Sequence, residues 1–395
     1  FLPAGFYYKT FMWPKSFWHK VYEPFIRKAA GFGVASTKHD QERYEHKYEY
    51  CDLLITGSGP SGLASAYAAA KNGARVILAE DKPRFGGTLL TSEVNIGNQT
   101  GKKWAENIIA ELKEMPNVVV KNRSQVFGYY DHNMLVMSER ISDHLPKTKK
   151  YGPKERLWYI RAKEVIISSG SIERPLVFGN NDTPGVMLSS AAKEYLKIYG
   201  VLVGKKPLIF TNNDSGYETA IEFKKNGVNP VILDTRKDSD SEIINEAKNL
   251  GIDIRFSYVV VAAKGYKKVK QAEISTISED KKELGIIENI NCDCICVSGF
   301  WTPTIHLASQ SGNKTKFNKD LDAFVPGQSK QEETTVGSAN GIFNLEETIK
   351  TSFAAGYELS KKITKNDNKI SVPSVVEKKS INHDKFWCVP LPKGK

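Results

Sequence analysis

A glycine-rich turn is the feature of this chain whose residue types and spacing point most directly to chemistry. An apolar run, 51–56, leads into Gly57, Gly59 and Gly62, and a helix is predicted near 61–72. The first glycine permits a tight turn, the second lets the backbone approach phosphate oxygens, and the third lets the helix pack on the strand. The helix N-terminus presents unpaired N–H groups to an anion, so the turn predicts a site for a dinucleotide pyrophosphate. The predicted turn residues are Gly57, Ser58, Gly59, Pro60, Ser61 and Gly62.

An acidic residue supports this reading of the turn. Residues 74–80 predict the second strand of a βαβ unit, and Glu80 ends that strand 18 residues after Gly62. A carboxylate at this position accepts hydrogen bonds from both ribose hydroxyls and repels a 2′-phosphate. Glu80 therefore favours NAD or FAD over NADP, and it does not discriminate between NAD and FAD.

Three further glycines are expected beside the cofactor. Gly86 and Gly87 form a second turn, which lies over the cofactor in flavoprotein-like folds. Gly170 follows a short apolar strand, 164–168, that should return to the first sheet. We therefore include Gly86, Gly87 and Gly170 in the predicted cofactor-binding set, which contains no metal ligand.

A second strand–turn–helix–strand unit repeats the topology of the first. Strands are predicted at 207–211 and 230–234, with a helix near 215–226 between them. Its turn lacks the first two glycines, and Asn213 and Asp214 stand where they would crowd a pyrophosphate and where a carboxylate would repel it. The second unit is therefore expected to keep the architecture without the phosphate site.

These elements predict an α/β fold of the flavoprotein type with two dinucleotide-binding domains. In such a fold a Rossmann-type βαβ sheet carries a second, inserted Rossmann-like domain. We expect an aromatic-rich N-terminal wrapping segment, a first dinucleotide-binding domain in two pieces, an inserted domain and a polar linker. The predicted limits are 1–50, 51–185 with 286–363, 186–285, and 364–395.

The N-terminal segment is unusually aromatic. Ten aromatic residues lie within the first 25, interleaved with lysines and without a helical or strand period. Because so dense an aromatic patch would be sticky in water, we expect the segment to wrap over a domain or to lie in a subunit interface. These aromatic residues are Phe1, Phe6, Tyr7, Tyr8, Phe11, Trp13, Phe17, Trp18, Tyr22 and Phe25.

The net charge and the hydropathy pattern exclude some classes of partner. The chain has 395 residues, a net charge of +11 and scattered lysines, but no nucleic-acid recognition motif accompanies them. A basic, solvated surface is the favoured interpretation, and no nucleic-acid partner is expected. No run of 18 apolar residues is present, so no membrane span is expected.

Cysteine spacing argues against metal and dithiol chemistry. Cys292, Cys294 and Cys296 alternate with other residues, which predicts that all three lie on one face of a buried strand. Metal knuckles and redox dithiols usually need C-x-x-C spacing. This usage fits a reducing compartment, and we expect a cytoplasmic location.

Several stretches beyond the glycine turns resemble the alpha subunit of heterotetrameric sarcosine oxidase. The most specific are the aromatic block 2–14 and the stretch 126–133, VFGYYDHN. Others are 170–176, 210–214, 298–303 with 306–307, and 324–327. The resemblance runs through nearly the whole chain. It implies a noncovalent NAD at Gly57, Gly59, Gly62 and Glu80.

The resemblance also implies partners and further cofactors. FAD belongs to the beta subunit in this family, and FMN lies at the interface of the alpha and beta subunits. The complex, with gamma and delta subunits, demethylates sarcosine oxidatively to glycine and releases hydrogen peroxide. A folate-binding domain normally follows the region seen here and a ferredoxin-like domain precedes it, so we expect a truncated alpha subunit.

Three positions depart from related patterns. FAD-binding relatives of the two-domain fold carry a Gly-Asp near the closing helix, and here 337–340 reads GSAN without a carboxylate, which favours NAD over FAD. Phe300 stands where the family often has glycine. Ser168 places a hydroxyl near the cofactor, and no loss of binding is expected from it.

The sequence contains no pattern that assigns a catalytic step to this chain, and three functions remain open. No acid–base pair, activated nucleophile or metal set has motif spacing, so the catalytic residues are unknown. His306 and His132 are better explained as hydrogen-bonded structural histidines than as proton carriers. The chain is expected to be part of an oxidoreductase that acts on the CH–NH bond of a secondary amine, and to be inactive alone. The alternatives are a non-catalytic, NAD-bearing scaffold and a self-contained FAD/NAD-dependent amine or opine dehydrogenase subunit.

Overall fold

A computed structural model describes residues 13–31, 33, 35–146, 152–368, 370–377 and 382–392. The chain divides into two compact units, 1–43 and 44–395. Its helices are α1 (Glu23–Ala29), α2 (Pro60–Lys71), α3 (Gly101–Glu114), α4 (Ser189–Tyr199), α5 (Ser215–Lys225), α6 (Glu242–Asn249), α7 (His306–Gln310) and α8 (Leu345–Thr364). Shorter helical turns are Trp18–Tyr22, Gly87–Leu90 and Gly337–Asn340.

The strands are β1 (Tyr44–Thr56), β2 (Val76–Ala79), β3 (Asn95–Ile96), β4 (Gln99–Thr100), β5 (Val118–Lys121), β6 (Ser124–Tyr130), β7 (Met134–Arg140), β8 (Glu155–Ile167), β9 (Ser171–Glu173), β10 (Val186–Leu188), β11 (Pro207–Thr211), β12 (Val231–Asp234), β13 (Asp253–Phe256), β14 (Tyr258–Lys264), β15 (Gln271–Thr276), β16 (Glu288–Asn291), β17 (Cys294–Ser298), β18 (Trp301–Pro303), β19 (Lys316–Asn318), β20 (Ala323–Val325), β21 (Glu333–Thr335) and β22 (Val375–Val376). Among the described residues no helix combines the length and the apolar character that a bilayer crossing requires.

The N-terminal unit contains a helical turn followed by α1, and neither holds a buried residue. Its aromatic side chains Trp13 and Phe25 are exposed within the described chain. The aromatic residues before residue 13 lie outside the described residues. The expectation that the segment wraps over a domain therefore stays a prediction, and its predicted end at 50 falls within β1, which starts at Tyr44.

The first sheet carries the glycine-rich turn. Its strand order is β5-β2-β1-β8-β7-β6, and β21 pairs with the last residues of β8. Strands β5, β2, β1, β8 and β21 run parallel, whereas β7 and β6 pair antiparallel. The parallel segments 53–56, 76–79 and 165–167 are apolar and buried because helices such as α2 and α8 pack on them.

The second sheet is a separate parallel sheet of five strands, ordered β10-β17-β11-β12-β13. It contains β17, whose residues pair with β11 over Pro207–Thr211. The boundary expected at 285/286 is therefore too early, because Cys294–Ser298 belongs to this sheet and not to the first domain. The other predicted domain limits stay predictions.

The cysteine pattern is only partly realised. Cys294 and Cys296 lie buried on β17, in the core formed with α4, α5 and α6. Cys292 precedes this strand and packs in a different core cluster. The chain bends at Asp293, whose carboxylate accepts hydrogen bonds from the backbone N–H groups of Lys205 and Lys206 at 2.7 and 2.8 Å. The expectation that all three thiols share one face is wrong for Cys292 because of this bend.

The C-terminal segment packs on the domains instead of forming a polar linker. Strand β22 pairs with β3, and Cys388 and His383 form isolated β-bridges with Val177 and Asn213. The side chains of Phe386 and Val389 are buried. The expectation that the described part of 364–395 is a linker is therefore wrong, because Phe386 and Val389 are buried in the core of the second domain.

Candidate dinucleotide-binding site

The glycine turn joins the carboxyl end of β1 to the N-terminus of α2. Gly57 has φ +103°, and a Cβ built there would lie 2.4 Å from the carbonyl oxygen of Ser168. A Cβ at Gly62 would lie 1.9 Å from the carbonyl oxygen of Gly57. Both positions therefore require glycine for protein packing, whether or not a ligand is bound.

Protein packing does not explain why residue 59 is glycine. Its φ of −66° and ψ of −174° suit any residue, and a Cβ built there would meet no described protein atom within 4 Å. The backbone N–H groups at the start of a helix have no intrahelical partner, and Pro60 and Ser61 at the start of α2 line the same cavity as Gly59. This space therefore fits a phosphate group that approaches the backbone closely, held by the dipole of α2.

Glu80 lies directly after β2 and is buried, with its carboxylate tied to the turn. One oxygen accepts hydrogen bonds from the backbone N–H and the hydroxyl of Ser58, at 2.9 and 2.5 Å. The other accepts from the backbone N–H of Lys82 at 2.9 Å. Burial raises the pKa of Glu80 to about 7. The oxygen that accepts from Lys82 keeps a further lone pair that a ribose hydroxyl can use, whereas the oxygen bonded to Ser58 already accepts two hydrogen bonds.

The second glycine turn packs directly on the first. The backbone N–H of Gly86 donates to the carbonyl oxygen of Ser58 at 3.0 Å. A Cβ at Gly87, where φ is +53°, would lie 2.8 Å from the Cα of Gly59. The two turns therefore form one wall of the same cavity.

The end of β8 forms the opposite wall. The Ser168 hydroxyl donates to the carbonyl oxygens of Thr56 and Gly57, both at 2.9 Å, so it fixes the turn. Gly170 has φ +75°, and a Cβ there would meet no described atom within 4 Å. The Thr56 hydroxyl is buried and has no hydrogen-bond partner within the described chain. A polar group of a ligand can satisfy it.

These walls enclose a cavity of about 790 Å³, within the size range of cofactor pockets. Gly62 and Gly86 lie behind its surface, where they shape the two turns. The predicted residues that line it are Gly57, Ser58, Gly59, Pro60, Ser61, Glu80, Gly87 and Gly170. The described residues thus fit a dinucleotide, whose pyrophosphate would be held at Gly59 and whose ribose would be held at Glu80.

Sequence patterns did not identify the part of the cavity that is formed by β9 and the helices α4 and α5. Glu173 is buried, and its carboxylate accepts a hydrogen bond from the backbone N–H of Ser190 at the start of α4, at 2.7 Å. Desolvation raises the pKa of Glu173. Lys193 forms an ion pair with Glu218 across α4 and α5. These residues have no motif spacing, because β9 and the two helices meet only through the fold.

Comparisons with known proteins identify the family of this chain. The sequence profile of the pyridine nucleotide-disulphide oxidoreductase family matches residues 51–323. The chain belongs to this family. It is therefore a member of an oxidoreductase family built to bind a dinucleotide, NAD or FAD, as the turn and its acidic partner predict.

The curated relatives confirm the more specific resemblance. The sarcosine oxidase alpha subunit of Rhizobium meliloti (strain 1021) is 41% identical over 86% of this chain and 33% of the relative. The alpha subunit of the sarcosine oxidase from Corynebacterium sp. (strain P-1) is 32% identical over 82% of this chain and 34% of the relative. The chain thus spans about a third of the length of these relatives.

The solved structures confirm the fold class. L-proline dehydrogenase from P. horikoshii matches with a TM-score of 0.61 at 19% identity, over 85% of this chain and 60% of that one. T. acidophilum thioredoxin reductase matches with a TM-score of 0.59 at 17% identity, over 79% of this chain and 98% of that one. Both likenesses show the α/β fold with Rossmann-like sheets.

His306 and His132, which the sequence favours as structural histidines over proton carriers, lie in different places. His306 begins α7 and lines the cavity, together with Gln310 of the same helix. His132 lies in the turn between β6 and β7 with φ +58°, and its carbonyl oxygen accepts a hydrogen bond from Arg161 at 2.8 Å. His132 is not among the cavity-lining residues.

The second Rossmann-like unit contains an internal ion network where a second dinucleotide would bind. Asp214 is buried in its turn and pairs with the Arg236 guanidinium at 2.8 Å. Arg236 also pairs with Asp234, at 2.7 Å, and Asp234 accepts a hydrogen bond from the hydroxyl of Tyr217. Asp214 therefore lies in the turn as the sequence predicts, and it is held there by a buried cation.

The C-terminal segment lies over the same crevice. The Asp384 backbone N–H donates to the carbonyl oxygen of Asn212 at 2.9 Å, and the Asn212 amide donates to the carbonyl oxygens of Asp384 and Phe386. The Thr235 hydroxyl donates to the Asp384 carboxylate at 2.9 Å. Main-chain atoms of this segment therefore use the carboxyl ends of β11 and β12, where ligands bind in open α/β sheets.

Proposed function

We propose that this chain binds NAD at the first Rossmann-type unit and is the NAD-binding part of the alpha subunit of a sarcosine oxidase complex. The observation that carries the proposal is the 41% identity to a sarcosine oxidase alpha subunit over 86% of the chain. That identity accompanies a cavity in which the glycine turn and Glu80 are already arranged for a dinucleotide.

Two local features favour NAD among the dinucleotides. Glu80 places a buried carboxylate where a 2′-phosphate of NADP would lie, and bringing these two anions together would be costly. The turn Gly337–Asn340 contributes Ser338 to the cavity and has no carboxylate for a flavin. When bound, NAD can accept or donate a hydride. In this chain, the first turn of α2, Glu80 and Gly170 would hold the NAD.

The chemistry of the whole complex is proposed to lie mainly outside this chain. Oxidative demethylation of sarcosine to glycine, with hydrogen peroxide as co-product, is assigned to flavins held with the beta subunit: FAD within it and FMN at its interface with the alpha subunit. Gamma and delta subunits and a folate-binding domain complete the assembly. Two of the cavity carboxylates support this division, because Glu173 accepts a hydrogen bond from Ser190 and Glu218 is paired with Lys193.

Cofactor release from the purified chain tests the proposal. We expect denaturation to release NAD and no flavin, identified by mass, and we expect Gly59→Ala to be purified folded but without NAD. Stoichiometric FAD in the isolated chain would contradict the cofactor assignment. Sarcosine-dependent peroxide production by this chain alone would contradict the assignment of catalysis to partner subunits.

A second candidate is a self-contained FAD/NAD-dependent amine or opine dehydrogenase subunit. An opine oxidase subunit of Agrobacterium tumefaciens (strain Ach5) is 26% identical over 41% of this chain and 33% of the relative, which favours keeping this candidate. Stoichiometric FAD and opine-dependent reduction of a dye by the isolated chain would support it.

A third candidate is a scaffold whose NAD never reacts. The engagement of Glu173 by the backbone N–H of Ser190 keeps this candidate open. Anaerobic addition of sarcosine to the assembled complex, followed by denaturation and identification of the released nucleotide by mass, tests this candidate, since only a reacting NAD would be recovered in its reduced form.

A further inference from the structure

Phe300 has a backbone conformation that phenylalanine rarely adopts. Its φ is +69°, in the left-handed region, although the residue is buried with only 4% of its surface exposed. Such a conformation costs a bulky residue free energy that glycine would not lose, so the surrounding structure must hold it. Phe300 lies between β17 and β18 and lines the dinucleotide cavity.

Two aromatic rings hold Phe300 in place. The ring of His383 lies parallel to it, with ring centroids 3.9 Å apart and planes 2° apart. The ring of Phe343 lies at 5.1 Å with a 56° tilt and also lines the cavity. His383 belongs to the C-terminal segment, which is fixed on the second domain by the hydrogen bonds of Asn212 and Thr235 to Asp384.

The strand order indicates which half of a dinucleotide would lie beside Phe300. Glu80 follows β2, on one side of β1, and would hold the adenosine ribose. Strands β8 and β21 lie on the other side of β1, and the residues that follow them, Gly170 and Ser338, line the same cavity. The pyrophosphate is held at the end of β1, so the second half of the ligand extends toward Phe300 and Phe343.

We propose that Phe300 forms the wall against which the nicotinamide half of the bound dinucleotide packs, and that His383 is a positioning residue that holds Phe300 there. The proposal rests on the proposed function, since it assumes that NAD occupies the cavity. It gives the C-terminal segment a role in ligand specificity. The segment fills the crevice of the second Rossmann-like unit, and the stack of His383 on Phe300 shapes the dinucleotide cavity of the first Rossmann-type unit.

The test compares NAD with ADP-ribose, which lacks only the nicotinamide ring, by calorimetric titration of the full chain freed of cofactor. Phe300→Gly removes the ring and suits φ +69°. We expect its dissociation constant for NAD to rise about 2- to 12-fold, the range of aromatic contact energies, while that for ADP-ribose changes by less than about twofold. His383→Ala keeps Phe300 and should raise the NAD constant in the same selective way.

The matched control is Phe386→Leu, which replaces a buried phenyl ring of the same C-terminal segment by a smaller aliphatic side chain. Phe386 is not part of the stack with Phe300. We expect it to leave the ratio of the two dissociation constants unchanged. Equal losses for NAD and ADP-ribose in both Phe300→Gly and His383→Ala, or no loss in either, would overturn the inference while leaving NAD binding intact. If the unmodified chain binds neither ligand, the proposed function itself fails, and the inference fails with it.

Discussion

The carboxylate of Glu80 accepts two hydrogen bonds from Ser58, one from its backbone N–H at 2.9 Å and one from its hydroxyl at 2.5 Å. The residue expected to bind the ribose is thus bonded to the turn expected to bind the pyrophosphate. Because Gly86 also donates to the carbonyl oxygen of Ser58, the strand end and both glycine turns form one rigid unit. Ligand binding therefore requires little rearrangement here, which limits its entropic cost.

The raised pKa of Glu80 predicts that NAD affinity depends on pH. A ribose hydroxyl donates to the ionised carboxylate, and burial raises the pKa of this group to about 7 in the free chain. The ionised fraction therefore rises about tenfold between pH 6 and pH 8, and we expect the dissociation constant for NAD to fall by about that factor. Titrations at each pH should show this, and Glu80→Gln should remove the dependence.

The raised pKa of Glu80 also predicts that its contribution to the free energy of unfolding of the ligand-free chain falls as pH rises, whereas the affinity for NAD increases. The folded chain without ligand keeps its proton on Glu80 to a higher pH than the unfolded chain, whose carboxyl has the ordinary pKa of 4.5. The unfolded state therefore binds fewer protons between pH 4.5 and 7, and the contribution of Glu80 to the free energy of unfolding falls as pH rises through this window. Urea unfolding of the wild-type chain and of Glu80→Gln should differ in this slope. Identical slopes would contradict the shift.

The separate roles of two glycines in the turn should be distinguishable by experiment. We expect Gly62→Ala to destabilise the chain by roughly 1–3 kcal/mol, because its Cβ would lie 1.9 Å from the carbonyl oxygen of Gly57. Gly59→Ala should leave thermal unfolding nearly unchanged, since its Cβ meets no described atom, but should weaken NAD binding at least about tenfold by occupying phosphate space. Unfolding of Gly59→Ala at a lower temperature would show that Gly59 serves packing instead.

The first βαβ unit could be predicted because all its signals are local. The apolar strand, the glycine turn and Glu80 follow one another closely in the sequence, and the helix expected near 61–72 is Pro60–Lys71. The wall contributed by Glu173, Lys193 and Phe300 could not be predicted in the same way. Pairing of β9 with β18 brings Glu173 and Phe300 to the cavity from far apart in the chain, and Lys193 reaches it from α4, so no spacing within the sequence reports these contributions.

Two wrong expectations, on the cysteine face and on the C-terminal linker, have physical causes that cannot be seen in the sequence composition. Alternating cysteines predict one strand face, yet the Asp293 carboxylate caps two backbone N–H groups and bends the chain before β17. A polar composition predicts a linker at 364–395, yet Phe386 and Val389 are buried in the core of the second domain. A few apolar side chains in a polar segment are enough to dock it when a sheet crevice is open to receive them.

Burial of the cysteines predicts a simple reactivity pattern. Cys51, Cys292, Cys294 and Cys296 are buried, and only Cys388 is exposed. Burial raises the pKa of Cys292 to about 12 and that of Cys51 further, so neither forms a thiolate near neutral pH. A thiol reagent should therefore modify one cysteine per native chain and all five after denaturation. Rapid labelling of Cys388→Ser in its native state would contradict this burial.

Arg236 should be essential to stability, because it neutralises two buried carboxylates. It is 6% exposed and pairs with Asp214 and Asp234, which are 1% and 0% exposed. Arg236→Met keeps much of the volume but leaves both anions without their cation, and we expect urea unfolding to show a loss of about 3–5 kcal/mol. The triple variant Asp214→Asn, Asp234→Asn, Arg236→Met removes the charges together and should recover most of that loss. If the triple variant is no more stable than Arg236→Met, the cost comes from lost packing around the guanidinium and not from the unpaired charges.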